Sequence, residues 1–324
     1  MRSALSRTIV FCTSRYDHIQ KAFIASGSFE KGVFNEGTHP NSEIWGAISE
    51  HQMDIARDRK VLVVGSTDRA DFEEMLSCGT ELGRVASEVN YLVPFMRYGT
   101  KERRDHPGDI VAAKNICERI SDAPAPGIRK RVFFFDLHAE TMEFYCDRRQ
   151  IVTETLYSSN LWIDLIRKNS GSSSVFGDDI AIGSADLGRK SKVIHLADTL
   201  GVPYGLVVKE RSSSSETHTL GDVIGDVRNR TVILVDDMLR GGSTAIDGAK
   251  AHLDAGANKV FLLITHPDFA GDPIGKIFNS GFFSGVICGD TYPKYTHCAH
   301  YPSFVSVVPT GHYLADLLLR KYKL

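Results

Sequence analysis

The sequence predicts an α/β protein of two similar domains, each a mainly parallel sheet with helices on both faces, built by an internal duplication. Three observations predict it. Apolar runs of strand length alternate with helical patterns along most of the 324 residues. Those runs are continuous rather than alternating, the mark of strands covered on both faces. A short signature also recurs. Gly65-Ser66-Thr67-Asp68 follows one apolar run and Gly183-Ser184-Ala185-Asp186 another, and the helical stretches behind them close in Leu-Gly at the same separation, at Gly83 and Gly201. A shared signature at equal spacing points to duplication. Each half also carries an apolar run ending in Asp, at Asp136 and Asp236.

Taken in order, the first strand is expected at 8–12. Strands follow at 60–64, 91–95 and 132–136 in the first half. In the second they fall at 179–182, 204–208, 232–235, 260–265, 286–289 and 304–308. The domain boundary is expected near 152–174. The three parts are then residues 1–155, residues 156–305, and a C-terminal helix at 306–324 that could pack back on the first domain. The serine-rich stretch 169–174 reads as a loop.

Composition sets the class. The chain is 42% hydrophobic and 24% charged with a formal net charge of −2, as in a globular domain protein. That balance argues against a nucleic-acid or membrane-surface protein, whose partners demand a basic excess. No apolar run approaches the roughly 20 residues that span a bilayer. The six cysteines never fall at C-x-x-C spacing, so neither a zinc nor a redox motif is supported, and reduced buried thiols are expected. Cytoplasm is the default compartment. The C-terminal Tyr322-Lys323-Leu324 only faintly resembles a peroxisomal S-K-L address.

The chemistry concentrates in Thr231 to Gly256. An apolar run, Val232 to Val235, ends in the adjacent carboxylates Asp236 and Asp237. The small-residue turn Gly241-Gly242-Ser243-Thr244 and a helical pattern follow. Ligands of α/β sheets bind at the carboxyl ends of strands. Glycines let backbone N–H groups approach a phosphate, and a helix N-terminus favours its charge. The carboxylates suit the sugar hydroxyls beside such a phosphate, directly or through Mg²⁺. In the first half, Arg97, Lys101, Arg103 and Arg104 crowd the end of the 91–95 strand, and guanidinium forks suit phosphate chains. His138 stands just past the 132–136 strand, where it could ligate a metal or donate to phosphate.

At these residues the chain resembles a known family. Thr231 to Gly256 resembles the phosphoribosyl-pyrophosphate motif shared by phosphoribosyltransferases and ribose-phosphate pyrophosphokinases. Phe135-Asp136-Leu137-His138-Ala139 resembles the D-L-H-A element of the pyrophosphokinases, or phosphoribosylpyrophosphate synthetases. Gly99-Thr100-Lys101-Glu102-Arg103, with Gly108-Asp109, resembles the version found in plant-type class II members. Phe34-Asn35-Glu36-Gly37 and Pro40-Asn41-Ser42-Glu43 resemble the nucleotide-base loop, which a neighbouring subunit receives. Asp186 takes the S-P-D-x-G position, and Val208-Lys209-Glu210-Arg211 matches K-x-R at the base of a catalytic lid. The resemblance covers nearly the whole chain and weakens at both ends and over 269–300.

The resemblance implies two phosphoribosyltransferase-like domains. It implies transfer of the diphosphoryl group of ATP to C1 of ribose 5-phosphate, giving phosphoribosyl pyrophosphate and AMP. Lys209 and Arg211 would be catalytic. Arg97, Arg103, His138, Asn41 and Glu43 would bind ATP, and His138 and Asp186 would organise Mg²⁺. Asp236, Asp237, Arg240, Gly241, Gly242, Ser243 and Thr244 would bind ribose 5-phosphate. A homo-oligomer, dimer or hexamer, is implied, with no nucleic-acid or membrane partner. The chain departs from the family at Arg240, where class I has an acid, at Gly241, which replaces Thr, and at Ser243. A phosphoribosyltransferase and a non-catalytic synthetase-like subunit remain as alternatives.

Overall fold

A computed structural model describes residues 7–123, 127–208 and 222–324. The chain divides into two compact units, residues 1–157 with 310–324, and residues 158–309. In the first, β1 (Thr8–Cys12), α1 (Asp17–Ala25), β2 (Phe29–Lys31), β3 (Asn35–Thr38), β4 (Ile44–Ala47) and α2 (Glu50–Ala56) lead to β5 (Lys60–Val64), α3 (Arg69–Leu82) and β6 (Glu88–Val93). Then come α4 (Ala112–Asp122), β7 (Arg129–Phe135) and β8 (Val152–Leu156). The second runs α5 (Ser159–Lys168), β9 (Ile180–Ser184), α6 (Lys190–Leu200), β10 (Tyr204–Val208), β11 (Asp222–Gly225) and β12 (Thr231–Met238). It continues with α7 (Ser243–Asp254), β13 (Lys259–His266), α8 (Pro273–Ser280), β14 (Gly285–Gly289) and β15 (Val305–Val308). The last helix, α9 (Gly311–Tyr322), belongs to the first unit.

The first sheet has strand order β2-β1-β5-β6-β7-β8 and is parallel throughout. Strand periodicity sorts its apolar residues to two faces. Ile9, Phe11, Val61, Val63, Val132 and Phe134 pack with α3 and α4. Val10, Leu62, Val64, Leu92, Phe133 and Phe135 pack with Ile19 and Phe23 of α1 and Leu314 and Leu318 of α9. The second sheet has order β11-β10-β9-β12-β13-β14-β15, with only β11 antiparallel. Its faces divide likewise. Val232, Leu234, Leu262 and Ile264 lie under α7 and α8, and Ile182, Ile233, Val235 and Leu263 under α5 and α6. All these faces are covered, as the continuous apolar runs require.

The two sheets share one winding scheme. A first strand is central, the second lies to one side of it, and a later strand, β5 or β12, returns to its other side before the rest add outward. The repeat therefore lies in the topology. The recurring Gly-Ser-x-Asp does not carry it: one copy follows β5 and the other begins in the last two residues of β9, and these strands hold different places in that scheme. The helices behind the two copies also end differently. Gly83 closes α3 in a right-handed conformation (φ −60°) and Gly201 closes α6 in the left-handed one (φ 70°). Asp68 caps α3 directly, while a 3-10 turn, Leu187–Arg189, precedes α6.

Four strand regions carry no sequence signal. The exposed hairpin β3–β4 reads Asn-Glu-Gly-Thr and Ile-Trp-Gly-Ala, without apolar alternation, and is held by its own ladder. The short β2, β8 and β11 lie at sheet edges, where half-burial blurs the pattern. The expected end of the 232–235 strand moves too. Strand β12 continues through both carboxylates, with Asp236 opposite Ile264 and Met238 opposite His266.

Candidate active site

In the second unit the strand order reverses between β9 and β12, and the carboxyl ends of these two strands form the crevice where α/β sheets take ligands. Asp186 follows β9 there, and Asp236 and Asp237 lie among the last residues of β12, before Met238. Asp237 is 2% exposed, while Asp236 keeps 30% of its side chain open. The Asp237 backbone N–H donates to Asp236 Oδ1 at 2.8 Å. Arg189 closes the arrangement. Its Nη2 is 2.8 Å from Asp237 Oδ1 and its Nε 3.5 Å from Asp236 Oδ1. Burial first, and then the neighbouring Asp237, push the Asp236 carboxyl upward, against the pull of Arg189.

Behind the carboxylates the chain turns into α7. Gly242, the residue before the helix, sits at φ 85°, a conformation only glycine adopts without strain. Gly242 has no side chain with which to cap the α7 amides, and Ser243 and Thr244 are exposed beside them. That leaves an open N-terminus with the partial positive charge that suits an anion. The helix is fixed close to the sheet by Gly248, where a Cβ would come within 2.6 Å of the Ala185 Cβ. The glycine turn and the Asp186 loop are thereby held together. Asp186 spends one carboxylate oxygen on the turn, Oδ1 accepting from the Gly188 N–H at 2.8 Å.

Arg240 precedes the glycines and is engaged. Its Nε lies 2.7 Å from Asp268 Oδ2, just past β13, and Lys294 Nζ lies 3.9 Å from the other oxygen. The Ala270 N–H donates to the Arg240 carbonyl at 3.2 Å, which ties the 268–270 loop to the turn. Arg240 and Gly241 thus stand beside Gly242, Ser243 and Thr244 at one strand end.

In the first unit, Arg97 follows β6 and His138 follows β7, at the carboxyl ends of neighbouring parallel strands. Arg97 pairs with Asp68, which also receives Arg15 at 3.4 Å. The Arg97 N–H donates to Thr67 Oγ1 at 2.7 Å, and the guanidinium lies 5.7 Å from the centre of the Tyr98 ring. Arg103 lies farther out, 75% exposed and 3.2 Å from Asp105. Asn41 and Glu43 sit in the turn of the β3–β4 hairpin, where the Glu43 N–H donates to Asn41 Oδ1 at 3.1 Å. Lys209 and Arg211 lie outside the described residues.

Among the described residues no group of three or more His, Cys, Asp or Glu side chains gathers to hold a metal ion. His138 stands in the first unit and Asp186 in the second. Mg²⁺ is commonly held by one or two carboxylates plus waters and substrate phosphates, so these residues fit a cation carried by a nucleotide better than a dedicated protein cage. The six cysteines are buried and unbridged. No helix of the described residues is long and apolar enough to cross a membrane.

Sequence reading passed over three participants. Arg189, Asp68 and Asp268 each pair with a predicted site residue. Asp68 and Arg189 lie in or just past the recurring tetrapeptide, and the Gly-Ser-x-Asp signature was the signal that could have found them.

Comparison with known proteins places these features. Residues 207–308 match the phosphoribosyl synthetase-associated domain family. The chain is 28% identical over 280 residues to a ribose-phosphate pyrophosphokinase of Chlorobaculum tepidum, across 86% of this chain and 81% of that protein. Its fold matches the crystal structure of phosphoribosylpyrophosphate synthetase from Mycobacterium smegmatis with a TM-score of 0.81 at 21% identity, covering 98% of this chain and 99% of that one. The chain is thus similar in sequence to a ribose-phosphate pyrophosphokinase, and it has the fold of a phosphoribosylpyrophosphate synthetase.

Proposed function

We propose that the chain transfers the diphosphoryl group of ATP to the C1 hydroxyl of ribose 5-phosphate, forming phosphoribosyl pyrophosphate and AMP for nucleotide biosynthesis. The observation that carries this reading is the pairing, at one strand crossover, of an α7 N-terminus that starts at Gly242 with two adjacent carboxylates. The amides of Gly241 to Thr244 hold the 5-phosphate, with the Ser243 and Thr244 hydroxyls. Asp236 and Asp237 accept from the ribose hydroxyls. Arg240 supplies a cation at the phosphate when it leaves Asp268.

Arg97 and Arg103 bind the nucleotide phosphates, and Asn41 and Glu43 the base. His138 and Asp186 are the donors for Mg²⁺, which when bound neutralises phosphate charge. Lys209 and Arg211 stabilise charge on the bridging and leaving oxygens. Phosphoryl-group transfer asks the protein for positioning and charge neutralisation more than for covalent chemistry. The class II likeness, a homo-oligomer and a cytoplasmic location belong to the same proposal.

One observation favours a second reading, a non-catalytic synthetase-like subunit: the Arg240 guanidinium, where class I members have an acid, is already paired with Asp268. Purified chain with Mg²⁺, ATP and ribose 5-phosphate separates the two. AMP and phosphoribosyl pyrophosphate in equal amounts support the enzyme. No AMP from the chain alone refutes it, and nucleobase consumption with added phosphoribosyl pyrophosphate would assign a phosphoribosyltransferase.

A further inference from the structure

Arg189 has no role in the reading above, yet it makes charged contacts with both members of the carboxylate pair. It ends the 3-10 turn Leu187–Arg189 that Asp186 initiates, and α6 begins at the next residue. Its side chain is only 16% exposed, so it is not a solvated surface cation that happens to reach an acid. The two carboxylates it meets are unequal. Asp237 is enclosed and 2.8 Å from Nη2, whereas Asp236 is partly open and 3.5 Å from Nε. One edge of a planar guanidinium fork, Nε with Nη2, thus spans both acids. Two adjacent carboxylates repel each other, and an enclosed one is costly without a partner. A fixed cation between them relieves both costs and sets where their remaining lone pairs point.

We infer that Arg189 is a positioning residue of the sugar site. It anchors on the enclosed Asp237 and, through its second contact, holds Asp236 with its open oxygen turned to the ligand. This rests on the assignment of the pair to ribose hydroxyls, and it divides the pair's labour. Asp237 is the anchor, and Asp236 is the principal acceptor. The ligand class is a vicinal diol beside a phosphate, as in a pentose 5-phosphate. The chain thereby carries its own cation at the sugar carboxylates, supplied by the Asp186 loop.

The test compares parent, Arg189→Gln, Arg189→Lys, Asp237→Asn and the double variant Arg189→Gln/Asp237→Asn. Ribose 5-phosphate binding is measured by calorimetry, with the apparent KM for both substrates and the melting temperature beside it. Arg189→Gln should weaken ribose 5-phosphate binding roughly 10- to 100-fold, the scale of a lost charge-assisted contact, with the KM for ATP unchanged. Arg189→Lys should fall between, since it keeps the charge and loses the fork. In the Asp237→Asn background, where the anchor is lost, adding Arg189→Gln should change sugar binding and melting temperature less than it does in the parent.

Parent-like or tighter binding by Arg189→Gln overturns the inference. So does an Asp237→Asn background in which Arg189→Gln weakens binding as much as in the parent, because Arg189 then acts without the anchor. Should Arg189→Gln fail to fold, parent affinity in Arg189→Lys overturns it equally. A parent chain that neither binds ribose 5-phosphate nor forms AMP defeats the proposed function itself, a result distinct from an active parent with unaffected variants.

Discussion

Replacing Asp237 by Asn should destabilise the second unit, and replacing Asp236 by Asn should not, although the two residues are adjacent in one strand. Asp237 is 3% exposed at its side chain and pairs with an Arg189 that is 16% exposed. Removing one member of a buried pair commonly costs 3–5 kcal/mol, and partial exposure of the guanidinium reduces that to about 2–3 kcal/mol. For a unit of the size of residues 158–309, each kcal/mol shifts the melting temperature by roughly 2–4 °C, so the expected fall is about 4–12 °C. Asp236 has 30% of its side chain open and a longer 3.5 Å contact. Its loss should stay within about 1 kcal/mol. The assay is thermal unfolding by circular dichroism at fixed pH, with AMP formation measured on the same preparations. Asp236→Asn should raise the KM for ribose 5-phosphate at near-parent stability. Equal melting temperatures for the two variants would refute the division of roles, as would a larger fall in Asp236→Asn.

Arg240→Ala should weaken ribose 5-phosphate binding by about 1.5–3 kcal/mol if the guanidinium serves the phosphate; Arg240→Asp should not rescue activity, because it sets a carboxylate against Asp268, and a rise in AMP formation would contradict this. Gly242→Ala forces an L-residue to φ 85° with only ordinary contacts around the new methyl, so denaturant midpoints should report a loss of about 1–2 kcal/mol, with a raised KM for the sugar phosphate. The raised Asp236 carboxyl keeps its proton to higher pH than an ordinary aspartate. Ribose 5-phosphate affinity should therefore fall as pH falls through neutrality, and this dependence should flatten in Asp236→Asn. The stability contributed by that group runs the opposite way, present at low pH and lost as pH rises through the folded value. Lys209→Ala and Arg211→Ala should lower kcat by roughly 10²–10³ with little change in either KM, and parent kcat in both would remove them from the mechanism.

The sequence alone determined the fold class and singled out the candidate site at the end of β12, because both are written in neighbouring residues. A run such as Val232 to Val235 is apolar throughout only if both faces of its strand are covered. Asp-Asp followed by Gly-Gly-Ser-Thr carries its own turn geometry and its own helix start. The edge strands β2, β8 and β11 and the β3–β4 hairpin were not legible, since half-buried or exposed strands have no strict apolar pattern to read. Strand order was not legible either. The recurring Gly-Ser-x-Asp suggested the duplication, but only pairing across the sheet showed that the two copies sit on strands holding different places. The same limit applied within the site. Asp236, Asp237 and Arg240 could be named from their motif, whereas their partners Arg189 and Asp268, like the Asp68 that pairs with Arg97, come from distant stretches. Charge pairing between the ends of separate parallel strands depends on which strands are neighbours and how far each loop reaches. Chain folding decides both, and no local residue pattern encodes either one.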